Sequence, residues 1–114
     1  MSPSIRSGAA ARRRTAPIFA ALGDETRLAL VASLAEGAPR SIAELTEGTR
    51  LTRQAVTKHL RALERARIVH STRAGRETRF TLDPAPIREA GAYAAAAAAR
   101  WDEALARLKA FVER

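Results

Sequence analysis

The chain has 114 residues, enough for one domain with a modest core, and its 20 Lys and Arg against 12 Asp and Glu leave a net charge of +8. It has no cysteine, which rules out disulfides, thiolate metal ligands and a thiol nucleophile, and fits a cytoplasmic protein. No apolar run approaches the roughly twenty residues of a membrane span, and no phosphate-cradling Gly-rich loop or His–carboxylate constellation marks an enzyme, so no cofactor, metal or membrane is expected.

The charge is unevenly placed. From Arg50 to Leu82, nine basic residues stand against Glu64 and Glu77, and Arg6, Arg12, Arg13 and Arg14 add four more cations near the N-terminus. An excess gathered on one stretch points to a polyanionic partner, with plain solubility as the alternative.

Residues 1–14 are small and basic without periodicity, and read as a flexible tail. A short helix is expected from Thr15, its N-cap, with Pro17 in the first turn and Ile18, Phe19 and Leu22 buried, closed by Gly23. Asp24 caps a second helix to Glu36. Leu28, Val31 and Ala35 form its central core face, widened by Leu30 and Leu34, and Gly37 and Pro39 stop it. Ser41 and Glu44 make a capping box that starts a short helix ending at Gly48.

Leu51–Arg65, LTRQAVTKHLRALER, follows the turn. Thr52 caps it, and Ala55, Val56, Leu60 and Leu63 recur at three- and four-residue spacing as one apolar stripe. The other face carries Arg53, Gln54, Thr57, Lys58 and Arg61, which suit base edges and phosphates. Short helix, Gly-containing turn and second helix read as a helix-turn-helix, with an ordinary αα-hairpin as the rival.

Ile68–Leu82 then changes to alternation. A turn at Ala74–Gly75 makes it a β-hairpin, with Arg73, Arg76 and Arg79 at or beside the tip, and this is the wing of a winged helix. Ile68, Phe80 and Leu82 must pack on the helices, because a lone hairpin is marginal. The chain is thus mainly α with a small β-hairpin, and the winged helix-turn-helix spans residues 15–83.

Residues 84–114 seed a last helix behind Pro84 and Pro86. Ile87, Gly91, Ala94, Ala98, Trp101, Leu105, Leu108 and Val112 are spaced 4, 3, 4, 3, 4, 3, 4, a heptad seam. With Ile18 and Phe19 it reads as a dimer surface formed by the terminal helices. Packing within one chain is the alternative.

The stretches ALGDETRLALVASL at Ala21–Leu34, SIAELTEGTRLTRQAVTKHLRALERARIV at Ser41–Val69 and GRETRFTLD at Gly75–Asp83 resemble the ArsR-type, or arsenical-resistance regulator, family of winged-helix repressors. The resemblance implies a homodimer that binds a palindromic operator in double-stranded DNA and represses transcription until an inducer, a protein or small molecule not identified by these residues, releases it. Residue by residue it implies DNA-reading positions at Thr52, Arg53, Gln54, Thr57, Lys58 and His59, with Arg76 and Arg79 in the wing. Family members that bind metal use cysteines before the recognition helix or an Asp/His/Glu cluster on the last helix. Here LTEGTR has no cysteine, the last helix has no histidine, and Asp102 and Glu103 lie on different faces, so the chain resembles the metal-independent members.

Two residues keep two readings each. His59 beside the apolar stripe is either a phosphate donor or a satisfied, partly buried histidine. Arg27 either pairs with acids or braces the helix that carries the reading face. For the whole chain the rival function is a winged-helix module that binds protein or RNA.

Overall fold

The structure is a computed structural model that describes residues 3–113, with side chains from Gly8 onward. Five helices and three short strands follow in the order α1 (Pro3–Leu22), α2 (Glu25–Leu34), β1 (Arg40–Ser41), α3 (Ile42–Thr46), α4 (Arg53–Arg65), β2 (Val69–Ala74), β3 (Glu77–Leu82) and α5 (Pro84–Val112). One core takes side chains from every helix and from the sheet: Ile18 and Ala21, Leu30 and Leu34, Leu45, Val56, Leu60 and Leu63, Ile68, Val69, Phe80 and Ala90 are all buried.

Three expectations change at the N-terminal end. The helix starts at Pro3, so the stretch read as a tail is helical over its described part, and Thr15 is an interior residue. Instead of capping, Thr15 is buried and donates its hydroxyl to the carbonyl of Ala11 at 2.6 Å. The cause is tertiary. Ala9–Ala11 and Arg12–Arg14 are helix-favouring but have no apolar stripe of their own, and α5 supplies the surface they pack on. In α2, Leu30 and Leu34 are the buried pair, whereas Leu28 is 53% exposed and Ala35 is exposed, so the core face is rotated from the one expected.

The caps of the next helices follow the expected chemistry. Asp24 accepts from the backbone N–H of Arg27 at 3.0 Å. Ser41 and Glu44 form the full capping box, each side chain accepting from the other's backbone N–H at 3.1 Å. Thr52 accepts from Ala55 N–H at 3.1 Å, and Gly48 turns the chain between α3 and α4 at φ +81°. Val56, Leu60 and Leu63 are fully buried, so α4 spends its apolar face on the core and leaves the opposite face to solvent.

The sheet has three strands, ordered β1-β3-β2 and antiparallel throughout. β1 adds a strand to the expected hairpin: Arg40 and Ser41 pair with Phe80 and Arg79. The hairpin turn is Gly75–Arg76 between paired Ala74 and Glu77, one residue later than expected, with Gly75 at φ +65° as a two-residue turn starting on Gly requires.

α5 has 29 residues, capped by Asp83, which accepts from Ala85 N–H at 3.0 Å. One face meets α1: Arg14 pairs with Glu89 at 2.8 Å, and the rings of Phe19 and Tyr93 meet edge-on at 6.4 Å. Ile18, expected buried on its helix and also placed on the dimer surface, is a buried core residue, because α1 turns it onto the helix bundle; Phe19, expected buried, is 42% exposed, held edge-on to Tyr93. Ile87 is half-buried against the core, while Gly91, Ala94, Ala98, Trp101, Leu105, Leu108 and Val112 are exposed. The radius of gyration is 18.9 Å, well above the ~13 Å of a compact domain of about 100 residues, and the long axis reaches 68 Å.

Candidate nucleic-acid interface

On the solvent side of α4, Arg53, Gln54, Thr57, Lys58, Arg61 and Arg65 line a shallow groove of about 670 Å³, floored by Ile42 of α3. Arg53, Gln54 and Lys58 are exposed and carry no ion pair among the described residues, so their polar ends are available to a ligand. Thr52 and Thr57 are committed in part to the helix: the first caps it, and the second donates to the carbonyl of Arg53 at 2.7 Å. Arg65 was not among the expected site residues. The signal was present, because Gln54, Lys58, Arg61 and Arg65 are spaced 4, 3 and 4 and share a helix face.

Arg61 joins two elements. Its guanidinium sits 5.5 Å from the centre of the Phe80 ring and donates to Glu64 at 2.7 Å. Glu64 also accepts from the hydroxyl of Ser71 in β2, and these two hydrogen bonds, Ser71 first, hold its carboxyl below the ordinary range. The helix α4 and the β2–β3 hairpin are thereby tied at one carboxylate. Arg61 lines the groove, but its charge is shared with Glu64 and not left free as expected.

The register separates the wing arginines. Arg73 lies opposite Thr78 and so shares the face of Ser71 and Phe80, which looks onto α4, while Arg79 lies opposite Thr72 on the other face. Arg76 occupies the turn between them. Arg79 is 3.3 Å from Glu77 on its own strand, and Arg73 and Arg76 carry no ion pair among the described residues. At the other end of the hairpin His70 pairs with Asp83 at 3.0 Å. That bond, ahead of the one from Ala85 N–H, holds the Asp83 carboxyl below its ordinary value.

His59 stands apart from this groove. Its Nδ1 lies 3.2 Å from Nη1 of Arg27 and 3.8 Å from Asp24, and its side chain is 25% exposed. Of its two readings the geometry realises the satisfied histidine, and Arg27 is the residue that satisfies it. Among the described residues no group of three or more His, Cys, Asp and Glu is placed to hold a metal ion, and no helix is long and apolar enough to cross a membrane.

A short helix, a glycine turn and an amphipathic helix with a basic outer face, followed by a basic hairpin, define a winged helix-turn-helix, the DNA-binding module of transcription regulators. Residues 22–72 match the family model described as a helix-turn-helix domain. An ArsR-like transcriptional regulator from Rhodococcus sp. RHA1 superposes with a TM-score of 0.75 at 34% identity, over 87% of this chain and 92% of that one. An uncharacterized HTH-type transcriptional regulator of Bacillus subtilis is 36% identical over 77 residues, 62% of this chain and 84% of its own. An HTH-type transcriptional regulator of Mycobacterium tuberculosis is 42% identical over 64 residues, 56% of this chain, and the match spans 59% of that protein's length. The chain belongs to the ArsR family of DNA-binding helix-turn-helix transcriptional regulators, and it is not an enzyme.

Proposed function

We propose that the protein is a homodimeric repressor that reads a palindromic operator, with residues 15–83 as the DNA-binding unit and residues 84–114 as the dimerisation helix. The observation that carries this reading is the division of α4: Val56, Leu60 and Leu63 are fully buried while Arg53, Gln54 and Lys58 stand free on the opposite side. Arg53 and Gln54 at the N-terminal turn read base edges, since guanidinium matches guanine and amide matches adenine. Lys58, Arg61, Arg65 and the wing residues Arg73, Arg76 and Arg79 hold phosphates on either side of the groove.

Dimerisation rests on the seam of α5. Trp101, Leu105 and Leu108 are 65%, 45% and 59% exposed, an apolar row that a water-soluble chain covers. Small Gly91, Ala94 and Ala98 at its other end allow two helices to approach closely. A symmetric pair then presents two copies of α4 about one helical turn of DNA apart, ~34 Å. With no cysteine in the chain and no histidine in α5, release by a protein or a small molecule fits better than release by a metal.

Selection of bound duplexes from a random pool tests specificity, symmetry and spacing together. The expected product is an inverted repeat with half-site centres 10–11 base pairs apart or a multiple of that. Recovery of unrelated sequences, or binding to duplex DNA that does not weaken with salt, overturns the reading in favour of a protein- or RNA-binding module.

A further inference from the structure

The guanidinium of Arg27 contacts three helices at once. Its Nε donates to the carbonyl of Ala21 and its Nη2 to that of Ala20 at 3.4 Å, both in the last turn of α1. The last carbonyls of a helix lack partners within it; the Ala20 carbonyl also accepts from the N–H of Gly23 at 3.4 Å, and the guanidinium supplies a donor to Ala21 and complements the negative end of the helix. Its Nη1 reaches Nδ1 of His59 in the middle of α4 at 3.2 Å. Arginine has no acceptor, so Nδ1 must offer its lone pair to that bond. Asp24 holds the base of the arrangement, capping α2 through the backbone N–H of Arg27 and lying 3.8 Å from His59.

We propose that Arg27 and His59 are positioning residues for DNA reading, a strut that sets the angle of α4 against the end of α1. The proposal rests on α4 being the reading helix. His59 lies on the side of α4 turned away from the groove lined by Arg53, Gln54 and Lys58, so it acts on the DNA only through the orientation of the helix. Val56, Leu60 and Leu63 anchor α4 in the core, but between α4 and the end of α1 lies a cavity edged by Pro17, Ala20, Ala21, Ala62 and Ala66 together with Arg27 and Arg65, so on this side the Arg27–His59 contact spans a gap that short side chains leave open. A base contact needs placement to a fraction of an ångström, whereas a phosphate contact tolerates a shift. Loss of the strut therefore costs operator binding more than it costs binding to arbitrary DNA.

The test uses the full-length protein, a duplex recovered by selection and a scrambled duplex of the same length and composition. His59→Phe keeps the ring volume and removes the acceptor. His59→Asn keeps an acceptor near the position of Nδ1. Arg27→Lys keeps a donor for the α1 carbonyls and cannot span to His59. Each is read by the ratio of operator to scrambled affinity, measured well below the unfolding midpoint, where a purely structural role leaves the ratio alone. His59→Phe and Arg27→Lys should lower the ratio about tenfold, and His59→Asn should stay within about threefold of the parent. An unchanged ratio in His59→Phe overturns the strut while leaving the DNA reading intact. Equal loss in Phe and Asn variants also overturns it, because the acceptor is then not what matters. No preference in the parent protein overturns the reading on which the strut stands.

Discussion

Arg53 lies on the first turn of α4 with its side chain exposed and without an ion pair among the described residues, and its worth is to be measured against DNA and not against stability. Arg53→Ala should weaken operator binding by about 1–3 kcal/mol, relax preference at one base position and leave scrambled DNA nearly unaffected. Equal losses on both duplexes in a binding titration would show that it holds phosphate instead. Arg79 is the contrasting case, on the outer face of the wing beside Glu77. Arg79→Ala should weaken all sequences alike and reduce the slope of log affinity against log salt by about one unit. Arg67 has a different lesson. At φ +63° it is the left-handed residue after α4, and the bonds from Arg67 N–H to Glu64 and from Ile68 N–H to Leu63 make the Schellman closure that glycine favours. Arg67→Gly should raise unfolding free energy by about 1 kcal/mol in urea titration, since the left-handed conformation strains a residue with a Cβ.

At the scale of elements, carboxylates sit at the joints. Asp24 caps α2, Glu44 completes the box on α3, Glu64 ties α4 to the wing, and Asp83 caps α5 and holds His70. Hydrogen bonds hold all four below their ordinary values: from Arg27 N–H for Asp24, Ser41 N–H for Glu44, Ser71 for Glu64 and His70 for Asp83. A depressed folded value means that the unfolded chain binds the proton more tightly. Each group thus contributes stability above its unfolded value, about 3.9 for Asp and about 4.3 for Glu, and loses it as pH falls through the lower folded one. The urea midpoint should accordingly be flat in these groups from neutrality to about pH 5 and fall steeply below about pH 4. A midpoint that held steady down to pH 3 would contradict these joints. Helix ends were legible in the residues because a cap is a local bond: Asp24, Ser41, Thr52 and Asp83 each bond within three positions. β1 was not legible, since two residues show no alternation and its partner lies forty positions away.

The whole molecule is long because its terminal helices lie side by side and α5 carries an uncovered apolar row to its end. Leu108→Glu places a charge on that row without touching the buried core, where Leu108 has no part. By light scattering the parent should weigh about twice the 12.3 kDa chain, the variant one chain, with helical content preserved. A variant that stays dimeric moves the interface elsewhere.

Residue type and spacing by themselves were enough for the helix-turn-helix, the hairpin behind it, the family and the length of α5, because each depends on contacts within a turn or two of chain or on a repeating period. Only the tertiary structure decided that α1 extends back to Pro3, that Phe19 stays half-exposed beside the buried Ile18, that Arg14 meets Glu89, and that His59 turns from the groove to Arg27. The last two depend on partners 75 and 32 positions away in the chain, Glu89 for Arg14 and Arg27 for His59, which no local pattern encodes.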